Sequence, residues 1–119
     1  MKIITSHRDR SAIVSISGRI DVFTASAVGE AVQSLMADGA VDFIVDVSCV
    51  TRIDSTGLST LVGNAKTLIS QGGSMSLAGA NQTVRRTLEI TKLVQYFRVH
   101  EGIEEALDEL EACALSQTT

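Results

Sequence analysis

Asp54-Ser55-Thr56-Gly57-Leu58 gathers the residue types in this chain best suited to chemistry: a carboxylate and two hydroxyls, side by side at a change of sequence pattern. Before them, Phe43-Ile44-Val45-Asp46-Val47 is a β-branched, almost wholly apolar run that predicts a strand buried on both faces. After them, Leu58, Leu61, Val62, Ala65, Leu68 and Ile69 recur at helical spacing and predict a helix over about 56–70. Asp, Ser and Thr cap helix N-termini by accepting hydrogen bonds from N–H groups that the helix leaves unpaired. A hydroxyl is therefore held where amides converge and the helix dipole is positive. The plain reading is one more capped helix after a strand. Gly57 argues for more, because a glycine in a first turn costs about 1 kcal/mol relative to alanine. A smooth, small-residue surface for another protein would account for it. A phosphate on Ser55 would meet helix-end attraction and repulsion from Asp54 together.

Catalytic alternatives fail on spacing. A phosphate-binding loop needs G-x-x-x-x-G-K-[ST] so that its amides wrap the phosphates. Here five residues separate Gly57 from Gly63, and Lys66-Thr67 follows too late. The nucleophile elbow G-x-S-x-G is half present, with Ile53 in place of its first glycine. His7 and His100 are the only histidines and neither sits in a motif, which disfavours a Ser-His-Asp hydrolase. His7 is expected in a hairpin and His100 in a loop before the last helix, neither with a spaced carboxylate or cysteine partner for a metal. No catalytic residue, metal or cofactor is assigned.

The 119 residues are expected to form one domain, 1–119, large enough to build a core without metal or disulfide. A net charge of −4, scattered Lys and Arg and four aromatic residues argue against nucleic-acid binding. Cys49 and Cys113 lack C-x-x-C spacing and read as two reduced thiols. With no signal-like N-terminus and no apolar run of about 18 residues, no membrane association and a cytoplasmic location are expected.

The elements that must position the serine follow from periodicity. Lys2–Ser6 and Ala12–Ser17 predict a hairpin; Gly18-Arg19-Ile20-Asp21 breaks it as a loop; a helix runs from about Thr24 to Asp38-Gly39. After the strand at 42–47 comes the helix at 56–70, which Gln71-Gly72-Gly73 stops. A strand follows at Ser74–Gly79, then a helix capped by Asn81, a strand at Tyr96–Val99, and an amphipathic helix over Gly102–Ala114. That last helix packs through Ile103, Ala106, Leu107 and Leu110 and has a solvated acidic side of Glu104, Glu105, Asp108, Glu109 and Glu111; Ser116–Thr119 is a frayed tail. The order β-β-α-β-α-β-α-β-α implies an α/β fold: a small mixed, mostly parallel sheet packed with about four helices. The loops at 18–21 and 53–56 should share one sheet edge if their strands are parallel neighbours.

With this order around it, Asp54-Ser55-Thr56-Gly57-Leu58 resembles the signature of the STAS domain, specifically the free-standing bacterial anti-sigma factor antagonists. Gly18-Arg19-Ile20-Asp21, Ile44-Val45-Asp46-Val47, Gly72-Gly73 and Asn81–Leu93 are similar to further family segments, so the likeness spans nearly the whole chain. Lys92 stands where members often have glycine, and Gln82 where many have proline. The resemblance implies a partner switch: Ser55, with Thr56 as runner-up, is phosphorylated by an anti-sigma factor that is a serine kinase of the GHKL ATPase type. The unphosphorylated form binds that kinase and frees a sigma factor, and a PP2C-type phosphatase resets the phosphorylated form. Asp21, Asp54, Ser55, Thr56, Gly57 and Leu58 are then expected at the partner-binding surface, Asp21 because its carboxylate has no evident partner inside the domain. The alternative is a non-phosphorylated STAS accessory subunit of a transport or signalling assembly.

Overall fold

The computed structural model describes residues 2–8 and 10–117. Five strands lie in spatial order β1-β2-β3-β4-β5. The chain runs β1 (Lys2–Arg8), β2 (Ser11–Ile20), α1 (Ala25–Ala37), β3 (Asp42–Ile53), α2 (Ser55–Ser70), β4 (Ser74–Ala78), α3 (Gln82–Thr91), a short 3₁₀ turn (Val94–Tyr96), β5 (Arg98–His100) and α4 (Ile103–Gln117). β1 pairs antiparallel with β2, and every other neighbouring pair is parallel. This is the expected mixed α/β architecture with four helices.

Two apolar layers hold it together. The larger joins one sheet face (Val14, Phe43, Val45, Met75, Leu77) to Val28 and Val32 of α1, Leu58, Leu61 and Leu68 of α2, and Val84 and Leu88 of α3. The smaller lies on the other face, where Ala106 of α4 covers Ile44 and Ala78 with Ile13, Ile103 and Leu110 against them. Phe43, Ile44 and Val45 are consecutive and fully buried, which is why the sequence there is an unbroken apolar run rather than an alternation.

The main corrections concern lengths. β3 continues six residues past Val47, and β2 runs to Ile20, so Gly18, Arg19 and Ile20 are strand residues and not a loop. Past Val47 the buried positions of β3 are Val50 and Ile53, with two exposed residues between each pair. Register shifts opposite Ser15/Ser17 and Gly18/Arg19 produce that three-residue spacing, each admitting extra β3 residues against β2. A two-residue period cannot reveal such a strand.

Smaller corrections follow from packing. Tyr96 and Phe97 precede β5 rather than opening it. α4 includes Ser116 and Gln117, and Leu107 is 36% exposed, so it does not belong to the buried stripe. Glu109 is not merely solvated: its carboxylate lies 3.1 Å from Arg98 and 2.7 Å from Nε2 of His100. His100 therefore ends a strand and does have a carboxylate neighbour, while His7 lies within β1. The tail residues 118–119 and the side chains of Glu111 and Cys113 lie outside the described residues; Cys49 is a free, exposed thiol. Lys92 closes α3 at φ 59°, a left-handed geometry that explains why glycine suits that position.

Candidate functional site

β2 and β3 end together. Ile20 is in register with Ile53, both are buried, and the Asp54 N–H donates to the Ile20 carbonyl at 3.0 Å. The expectation that the segments at 18–21 and 53–56 share a sheet edge is met, and by direct pairing. Each buried isoleucine is followed by an aspartate that shapes the next helix entry.

At the second entry, Asp54 is the N-cap of α2: its extended backbone sets the turn and its Oδ1 accepts from the Gly57 N–H at 2.8 Å. Ser55 and Thr56 therefore occupy the first helical positions, and both are exposed. Among the described residues no group hydrogen-bonds the Ser55 hydroxyl. It is exposed to solvent at a helix N-terminus, and among the described residues no base is hydrogen-bonded to it. Such a hydroxyl can accept a phosphoryl group from another protein's active site, but it is not equipped as a nucleophile of its own.

Gly57 and Leu58 are corrected. Both are buried, Leu58 within the main core. A Cβ on Gly57 would meet Ile20 Cγ2 at 2.6 Å and the Ile20 carbonyl oxygen at 2.7 Å. The glycine is required by contact with β2 inside the fold, not by a partner outside it. Of the six residues expected at the surface, Asp54, Ser55 and Thr56 are exposed and Asp21 is half-buried.

Asp21 is corrected as well, since its carboxylate has partners. Oδ1 accepts from the Phe23 N–H at 2.9 Å and the Thr24 N–H at 3.2 Å. Thr24 completes the turn, its Oγ1 accepting from the Asp21 N–H at 2.8 Å and donating to the Arg19 carbonyl at 2.9 Å. This hydrogen-bonded turn holds two apolar side chains in solvent at its tip, Val22 at 59% and Phe23 at 87% exposure. Sequence reasoning missed this pair. The signal was available: two large apolar residues between Asp21 and a helix-starting threonine, outside any helical or strand period.

Among the described residues no cluster of His, Cys, Asp or Glu could hold a metal ion, and no helix is long and apolar enough to cross a membrane.

Comparison with known proteins adds kinship to this geometry. The STAS domain family profile matches residues 2–106. The anti-sigma-B factor antagonist of Staphylococcus aureus (strain NCTC 8325 / PS 47) is 32% identical over 104 residues, covering 87% of this chain and 96% of that protein. A crystal structure of an anti-sigma factor antagonist from Mycobacterium paratuberculosis superposes with a TM-score of 0.82 at 26% identity, over 92% of this chain and 93% of that one. The fold is also that of the anti-sigma factor antagonist SpoIIAA in its unphosphorylated form, with a TM-score of 0.81 at 17% identity, over 93% of this chain and 97% of that one.

Proposed function

The chain belongs to the STAS domain family and is an anti-sigma factor antagonist, and from that premise we propose that it works as a phosphorylation-controlled partner switch in the cytoplasm. It is a binding protein and not an enzyme. Its anti-sigma factor partner is, in this reading, a serine kinase of the GHKL ATPase type, held by the unphosphorylated form so that a sigma factor is released. The kinase transfers the γ-phosphoryl group of ATP to the Ser55 oxygen, giving phosphoserine, ADP and a proton. A PP2C-type phosphatase hydrolyses the ester to restore the hydroxyl.

The observation that carries the reading is Ser55 itself, exposed at the first position of α2 and without an internal partner. In the free protein a phosphate there faces a helix N-terminus, which suits an anion. In the complex the same group, with a charge of about −1.5 to −2, has to be desolvated against the partner beside Asp54. Each 1.4 kcal/mol of that penalty is about tenfold in affinity, so a local change switches binding without refolding.

Incubation with the cognate kinase and ATP tests the assignment. Wild type is expected to be labelled and to lose affinity once labelled, and Ser55→Ala to stay unlabelled while still binding. Equal labelling of both would move the acceptor to Thr56 or elsewhere.

A further inference from the structure

The tripeptide Arg-Ile-Asp occurs twice, at Arg19-Ile20-Asp21 and Arg52-Ile53-Asp54, at the ends of the neighbouring parallel strands β2 and β3. Its members divide the same way in both copies. The isoleucines are buried, the aspartates organise helix entries, and the arginines are exposed. The register shift after Gly18 sets Arg52, and not Thr51, opposite Arg19. The bulge thus pairs the backbones of two exposed arginines across strands about 4.8 Å apart.

Like charges directly opposite across a sheet are destabilising. The usual remedy is a neighbouring carboxylate, and two stand close in sequence. Asp21 and Asp54, however, each accept backbone N–H groups at their own helix entries. Among the described residues neither guanidinium has an ion-pairing partner; the recorded ion pairs involve Arg85, Arg98 and His100. A chain with a net charge of −4 therefore keeps two unneutralised cations together at the edge that carries Ser55. A local rule broken without an internal gain is expected where the gain comes from outside.

We infer that Arg19 and Arg52 form a docking site for carboxylate side chains on the anti-sigma factor, next to the Ser55 loop. The inference rests on the partner-switch reading and specifies the chemistry of the partner's surface. Guanidinium forks match carboxylates in bidentate geometry, and two adjacent forks suit a pair of acidic residues. Phe23 supplies an apolar contact on the same edge. Nucleic acid is disfavoured as the occupant, because the pair is not part of a basic stripe in this acidic chain.

The experiment measures binding of unphosphorylated protein to the kinase that labels Ser55, with wild type compared to the double variant Arg19→Gln/Arg52→Gln. At low ionic strength the double variant is expected to bind at least about tenfold more weakly, a gap that narrows as salt is raised. Its KM in the phosphorylation reaction should rise while kcat is unchanged, and its thermal unfolding should occur at or slightly above the wild-type temperature, since the like-charge pair is gone. The charge reversal Arg19→Glu/Arg52→Glu should bind more weakly still. Affinity within twofold of wild type at low salt overturns the docking site and leaves the partner-switch reading intact. If wild type itself is neither bound nor labelled, that reading falls and this inference with it. Unchanged binding together with a raised second pKa of phospho-Ser55 in the glutamine variant, read by phosphorus NMR, would assign the arginines to the phosphate and overturn their role in docking.

Discussion

The two strand-to-helix junctions at the functional edge start from the same three residues and end differently. After Arg52-Ile53-Asp54 the helix begins at once, with Asp54 capping the Gly57 N–H and Ser55 as the first helical residue. After Arg19-Ile20-Asp21 the chain makes a closed turn, Asp21 is satisfied by Phe23 and Thr24, and the helix waits until Ala25. One junction presents a hydroxyl on a helix end, the other an aromatic ring on a turn. In the proposed switch the former would be the site of modification and the latter part of the surface the partner grips.

Gly57 is where the two junctions touch, and its substitution should have the largest effect on stability. Alanine is the better helix former by about 1 kcal/mol, so a glycine with only a local role would be improved by it. The added Cβ, however, would fall within 2.7 Å of the Ile20 carbonyl oxygen, which cannot rotate away. Gly57→Ala is expected to cost about 2 kcal/mol net. Gly63→Ala in the same helix meets nothing within 4 Å and should stabilise by about 0.5 kcal/mol or more. Urea denaturation of the two variants separates the explanations; stabilisation by both would show that β2 and α2 do not depend on that contact.

The aspartates come next, and they sharpen the comparison because each is tied to its own backbone. Asp54→Ala removes an N-cap and should cost about 1 kcal/mol. Asp21→Ala should cost less, about 0.5 kcal/mol, since water can reach the amides of an exposed turn. Asparagine should restore most of the loss at both positions, as its side-chain oxygen accepts the same bonds. Amide hydrogen exchange localises the effects: faster at Gly57 for Asp54→Ala, and faster at Phe23 and Thr24 for Asp21→Ala. An unchanged Phe23 amide in Asp21→Ala would remove Asp21 from the turn and return it to the partner-binding role first expected of it.

Element order was legible in the sequence because most elements keep their period: Leu58 to Leu68 for α2, Phe43 to Val47 for the centre of β3, Asn81 as a cap whose Oδ1 does accept from the Val84 N–H at 2.9 Å. Ser55 was legible because a change of period and a cluster of cap residues coincide there. What escaped was whatever depends on register between distant segments. The bulges of β3 erase its alternation after Val47. The reason for Gly57 is a backbone 37 positions away in sequence, and the partners of Asp21 depend on a turn whose closure needs Thr24 to reach back to the Arg19 carbonyl. The like-charge pairing of Arg19 and Arg52 belongs to the same class, since the repeat is visible in the chain but its juxtaposition follows from strand pairing.

The smallest stability effect, and the sharpest test of the contrast between the junctions, belongs to Phe23. At 87% exposure its ring has almost no apolar surface buried to lose, so Phe23→Ser should change unfolding free energy by no more than about 0.5 kcal/mol. An exposed aromatic on a closed turn has little backbone freedom left to lose on binding, and such residues are frequent centres of binding energy. Phe23→Ser should therefore weaken the complex with the anti-sigma factor by about tenfold or more while phosphorylation of Ser55, once bound, proceeds at its normal kcat. If Asp21 acts by presenting the ring, the effects of Asp21→Ala and Phe23→Ser on affinity will not add, because removing the turn matters little when the ring is gone. Additive losses would mean that Asp21 and Phe23 meet the partner independently, and the first junction would then be two contacts and not one presented side chain.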